Sequence, residues 1–199
     1  PLVRITRHED ATDDGPLVML VQGLAKGEKM DSVIRHATEL GVAAFMPLTC
    51  ERSIVKLDAK KTRTRLDRWC SIAKSAAMQS GQPRIPEVLE PRSAKEAAAE
   101  LAEATAVLIC WEEAPRTASL AQAIGRGISE CSCPRGDARI AVVVGPEGGL
   151  TEREVGFFLD ANPRASLVSL GSSILRTETA GVVAPALTLY ELGKLGGTR

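Results

Sequence analysis

Short, unbroken apolar runs alternate along the chain with longer stretches in which apolar residues recur every three or four positions. The clearest short run is Ile140-Ala141-Val142-Val143-Val144, whose β-branched, uninterrupted character predicts a strand buried on both faces of a parallel sheet. Residues 17–21, 43–48, 106–111 and 165–170 predict strands in the same way. Between the first two, Met30, Val33, Ile34, Ala37 and Leu40 fall on one face of a helix predicted over 29–40, which Gly41 ends. Ser93 with Glu96, and Thr151 with Glu154, have capping-box spacing and predict helix starts. Further helices are predicted near 119–124 and over 177–193, whereas 125–137, rich in Gly, Ser and Cys, predicts a loop. The βαβαβα alternation predicts an α/β fold around a mostly parallel sheet.

Two of the predicted strands run into glycine-bearing turns. Gly145-Pro146-Glu147-Gly148-Gly149 keeps side chains away and permits positive φ, so a small molecule can approach the backbone closely. The turn lies at the carboxyl end of its strand, the edge at which open α/β sheets bind ligands. Gly171-Ser172-Ser173 repeats the plan and leads into the charged cluster Arg176-Thr177-Glu178. Neither G-x-G-x-x-G nor G-x-x-x-x-G-K-[ST] occurs, which disfavours an ordinary nucleotide-binding α/β protein.

Composition adds a charge asymmetry. The formal net charge of zero conceals residues 50–74, with eight cations against three acids, and residues 87–113, with seven acids against two cations. The basic stretch reads either as a solvated helix face or as a path for RNA phosphates. Gln79, Ser80 and Arg84 follow it; Gly81 and Pro83 suffice as a helix stop, yet Arg84 on a stiff proline-flanked segment is also suited to a phosphate or a flipped base. A length of 199 residues with 44% hydrophobic content suits one principal domain. No apolar run approaches a membrane span and no signal-peptide pattern opens the chain, so a cytoplasmic protein is expected. Five cysteines without Cys-x-x-Cys spacing, and His8 far from His36, predict reduced thiols and no metal site. In the last helix, Val182, Val183, Ala186, Leu187, Leu189 and Tyr190 form a broader apolar surface than one buried stripe requires.

GPEGGLTEREV (145–155) and LGSSILRTETAGVVAPAL (170–187), together with ATELGV (37–42), ERSIVK (51–56) and MQSGQPRIPEV (78–88), resemble the RsmE family of ribosomal RNA methyltransferases, a branch of the SPOUT class. The resemblance runs from about Leu17 to Leu192, with one departure: Gly171-Ser172-Ser173 stands where the family commonly has Gly-x-Arg. It implies a SPOUT methyltransferase domain over 17–199 with a deep C-terminal trefoil knot, and makes residues 1–16 a remnant of a PUA-like barrel, otherwise largely absent, or a linker. It implies S-adenosylmethionine as cofactor, a homodimer, and methylation of N3 of a uridine in 16S rRNA of the small ribosomal subunit. The contacts it implies for the cofactor are Leu108, Ile109, Cys110, Val144, Gly145, Glu147, Gly148, Leu170, Leu175 and Thr177. Arg176 and Glu178 would be catalytic, and Arg52, Lys56, Arg68, Gln79 and Arg84 would meet RNA. The alternatives are a SPOUT ribose 2′-O-methyltransferase and a non-catalytic RNA-binding ribosome-assembly factor.

Overall fold

The computed structural model describes residues 15–114 and 117–197. The expectation for the first sixteen residues falls almost wholly outside that range. Seven strands form one sheet: β1 (Leu17–Gly23), β2 (Ala44–Thr49), β3 (Glu87–Val88), β4 (Arg92–Ser93), β5 (Ala106–Cys110), β6 (Arg139–Val144) and β7 (Ala165–Val168). Their order is β3-β2-β1-β6-β5-β7, with β4 also on β2. Every pairing among them is parallel, so the expected mostly parallel sheet is wholly parallel over the described residues.

The strands sort their side chains by alternation. Leu20, Leu108 and Val142 face one side, under α1 (Lys29–Leu40), α2 (Ala59–Ser80), α4 (Leu120–Cys131) and α6 (Thr177–Glu191). Val21, Ile109 and Val143 face the other, under α3 (Ala94–Glu100) and α5 (Glu152–Ala161). Two buried faces explain why these strands lack a polar alternation: each residue meets a helix layer whichever way it points. The β6 strand lies between β1 and β5, and its register sets Val21 opposite Val143 and Val143 opposite Ile109.

Local chemistry fixes the helix ends. The Thr151/Glu154 and Ser93/Glu96 capping boxes both form, and Ser119 with Gln122 makes a third. Gly41 closes α1 with φ 99° and Gly81 closes α2 with φ 70°, both left-handed. Strand and helix ends retreat slightly from expectation: β5 ends at Cys110, β7 at Val168 and α6 at Glu191.

The larger correction concerns 125–137. Residues up to Cys131 are helical, because Leu120, Ala123, Ile124 and Gly127 are buried at helical spacing on the sheet. Gly127 is a packing residue there; a Cβ would stand 2.3 Å from the Thr105 carbonyl oxygen. Alanine in a helix interior ordinarily gains about 1 kcal/mol over glycine. Gly127→Ala is instead expected to destabilise the fold by about 1–3 kcal/mol through overpacking, seen as a lower urea midpoint with an unchanged slope.

Candidate active site

The β6 strand delivers the chain into the turn at 145–149, closed by the Gly149 amide donating to the Pro146 carbonyl at 2.9 Å. Gly149 has φ 72°, which glycine alone adopts without strain. On the neighbouring β1, a Cβ on Gly23 would lie 2.3 Å from the Pro146 nitrogen, so strand end and turn meet backbone to backbone. A buried relay ties this contact to α6. The Thr177 hydroxyl donates to the Gly145 carbonyl at 2.6 Å, and the Gln22 side-chain amide donates to the Thr177 oxygen at 2.9 Å and to the Gly23 carbonyl at 3.3 Å.

Around this relay opens a cleft of about 550 Å³, walled by the segment after β5, the 145–149 turn and residues 169–176. Its volume falls in the range of small-molecule sites. Trp111 is fixed by its indole N–H on the Leu150 carbonyl at 3.1 Å. Ser169 accepts the Gly171 amide and donates to the Gly171 carbonyl, each at 3.1 Å, which folds the start of the third wall.

Lys29, from the first turn of α1, places its ammonium 3.0 Å from Glu147 Oε1 and 3.1 Å from Glu178 Oε2. The Lys26 amide also donates to Glu147 Oε1, at 3.0 Å. Hydrogen bonds to the two carboxylates raise the Lys29 pKa. Partial burial opposes ionisation of Glu147, but the Lys26 amide and the Lys29 ammonium outweigh it and hold its pKa below the ordinary range. Glu178 is likewise lowered, first by its own amide at the α6 N-terminus and then by Lys29. Arg176 precedes α6, is exposed and lines the cleft, and its charge also favours ionisation of Glu178.

Of the residues implied for the cofactor, Cys110, Val144, Gly145, Glu147, Leu170, Leu175 and Thr177 line the cleft. Leu108 and Ile109 do not; they are fully buried within β5, one under each helix layer. Gly148 packs instead beneath Arg52, where a Cβ would approach the Arg52 backbone oxygen to 2.9 Å. Burial pushes the Cys110 thiol up to about 12, so it is a packing group at neutral pH.

The residues expected to meet RNA divide. Arg52 donates to Glu113 at 2.8 Å and to the Gly148 and Leu150 carbonyls at 3.3 and 3.5 Å, bracing the 145–149 turn from outside. Arg68 forms a close ion pair with Asp31, whose carboxylate is buried in α1, and reaches Glu28. Lys56 is exposed before α2, Gln79 is exposed near its end, and Arg84 is exposed in the following loop. Lys29, Gln22 and Trp111 escaped sequence reasoning. Lys29 is only the first residue of a predicted helix, Gln22 lies just beyond the strand predicted over 17–21, and no local spacing announces partners so distant in the chain.

The RNA methyltransferase domain family matches residues 14–189. Ribosomal RNA small subunit methyltransferase E of Bacillus subtilis is 36% identical over 180 residues, covering 90% of this chain and 68% of that protein. The chain belongs to this methyltransferase family. The enzyme of the same name from Neisseria gonorrhoeae, solved bound to S-adenosyl methionine, superposes with a TM-score of 0.73 at 33% identity, over 92% of this chain and 70% of that one. A Legionella pneumophila methyltransferase in complex with the same cofactor gives 0.73 at 29% identity, over 88% and 66%. The chain therefore spans about two thirds of the length of these relatives.

Two outcomes follow from the relay and the ion pairs. Thr177→Val leaves the Gly145 carbonyl and the Gln22 amide short of a buried partner, at a cost of about 1–3 kcal/mol, measurable by urea denaturation. Because Glu147 and Glu178 titrate below their ordinary value of 4.5 in the fold, the stability they supply is complete above that value and is lost as pH falls through the depressed folded values. Acid titration of the wild type should therefore show a stability loss below pH 4.5 that shrinks in Glu178→Gln.

Proposed function

We propose that the cleft binds S-adenosylmethionine and that the chain methylates N3 of a uridine in 16S rRNA of the small ribosomal subunit, working in the cytoplasm. The observation that carries this reading is the cleft itself: two glycine turns at the carboxyl ends of β6 and β7 enclose about 550 Å³ beside Arg176 and Glu178. The close packing of Gly23 and Gly145 against the backbone of the 145–149 turn suits a cofactor held through main-chain groups. Cys110, Val144, Gly145, Leu170, Leu175 and Thr177 would hold it. When bound there, it supplies an electrophilic methyl group on a sulfonium leaving group.

The chain's own residues then have defined work. N3 of a neutral uridine carries a proton and base pairing hides it, so the target must be unpaired at the cleft. Negative charge moves to the uracil oxygens as the proton leaves, and the exposed Arg176 guanidinium at the cleft would stabilise it. Glu178, kept ionised by the α6 N-terminus and Lys29, would orient the base and accept the proton that N3 loses as the methyl group arrives. Lys56, Gln79 and Arg84 are exposed and suit RNA contact. Arg52 and Arg68 combine any such role with the ion pairs that brace the fold.

Three features of the assembly belong to the same reading. The segment after edge strand β7 returns to pack α6 on α1, β1 and β6 at the sheet centre, the course a trefoil knot would take. Leu187 and Tyr190 remain 39% and 61% exposed on α6, an apolar face suited to a homodimer. The stretch before Leu17 would be either the remnant of a PUA-like RNA-binding domain or a linker.

Calorimetric titration with S-adenosylmethionine, followed by methylation of small subunits and mass analysis of digested rRNA, tests the proposal. Saturable binding and a methyl group on uridine N3 are expected; no binding by the folded chain, or a methyl on ribose, would sink it. Arg176→Ala should retain cofactor binding and lose on the order of 100-fold in turnover.

A further inference from the structure

At the edge of the cleft, three segments far apart in the chain bring three ionisable side chains together: Lys29 from α1, Glu147 from the turn after β6, and Glu178 from the first turn of α6. We propose that Lys29 is a positioning residue of the cofactor site, its ammonium latching the 145–149 turn to the start of α6 and so fixing the cleft that receives S-adenosylmethionine. The inference rests on the cofactor reading above and extends it to a side chain acting through two carboxylates.

The latch follows from geometry and charge. One ammonium contacts both acids, at 3.0 and 3.1 Å, and all three side chains are about one quarter to one third exposed. Lys29 itself is carried on a rigid base, since Met30 and Asp31 beside it are buried and Asp31 is ion-paired to Arg68 of α2. The other polar groups around it do not replace it. Lys26 offers only its backbone amide to Glu147, Glu28 and Arg65 turn to Arg68 and the Gly27 carbonyl, and Glu112 adds a further acid to the cleft wall. Arg176 influences Glu178 from the residue that precedes α6, on the same segment of chain. Without the ammonium, Glu147 and Glu178 would face one another as like charges, a state relieved either by separation of turn from helix or by uptake of a shared proton.

That alternative gives a signature that a merely structural role would not produce. Cofactor affinity is measured by calorimetry at about pH 7.5 and pH 5.5 for the wild type, Lys29→Met, Lys29→Arg and Lys29→Met/Glu178→Gln, with circular dichroism confirming the fold; Lys29→Gln replaces the methionine variant if that one fails to fold. At the higher pH, Lys29→Met should bind on the order of 10-fold more weakly than wild type. At the lower pH it should recover most of that loss, as a proton stands in for the ammonium, while the wild type changes little. Lys29→Arg should stay close to wild type, and the double variant should recover affinity at the higher pH because one of the opposed charges is gone. Equal affinity of Lys29→Met and wild type at both pH values overturns the latch, as does a loss that neither acid nor the second substitution repairs. A folded wild type that binds no S-adenosylmethionine instead overturns the cofactor reading, and the latch with it.

Discussion

The Gly145 carbonyl is held by a hydroxyl from a helix that begins only after another helix and another strand have been laid down. That one bond joins the 145–149 turn at the sheet's carboxyl edge to the start of α6, and the site's other features depend on it. It requires Thr177 to be buried at the start of α6, which requires the chain leaving β7 to come back across the sheet to β1 and β6. It requires Gln22 to sit behind Thr177, which places a polar side chain at the end of an otherwise apolar strand. It also requires β1 to end in a residue without a side chain, since Pro146 lies where a Gly23 Cβ would be. At this depth the Thr177 hydroxyl and the Gln22 amide each find an acceptor, whereas the buried Gln22 Oε1 has none among the described residues; the bonds that are made tie the turn to α6.

Charge is arranged around that rigid centre in two ways. Some cations are structural: Arg52 braces the 145–149 turn from outside, and Arg68 neutralises a carboxylate buried in α1. Removing Arg68 would strand the buried Asp31 charge, whereas the Arg52–Glu113 pair is half exposed and Arg52 meets the turn through the Gly148 and Leu150 carbonyls. Others, among them Lys56 and Arg84, lie exposed on the surface. The basic stretch of sequence therefore contains two populations that composition alone cannot separate. Position relative to the acidic α1 N-terminus and the 145–149 turn separates them.

Glycine shows the same division between pattern and place. In the 145–149 turn, glycine density marks a backbone requirement, since Gly149 adopts a left-handed conformation there. In 125–137 the same density misleads, because Gly127 serves close packing of α4 over the Thr105 carbonyl and the helix continues to Cys131. A glycine can be selected for its backbone or for its missing side chain, and only the neighbour it meets tells which.

Much of the architecture was legible in the chain because it is decided locally. Apolar runs buried on both faces, capping boxes at Ser93 and Thr151, and left-handed glycines at Gly41 and Gly81 act within a few residues, and each stands where the pattern put it. The two glycine turns and the quoted motifs likewise pointed to the cleft and to the family. The tertiary structure alone decided that Leu108 and Ile109 are core, that Arg52 and Arg68 carry internal ion pairs, and that Gln22 and Lys29 complete the site. The reason is physical: hydrogen bonds and ion pairs act over about 3 Å, and a parallel sheet brings to that distance residues whose separation along the chain leaves no periodic trace.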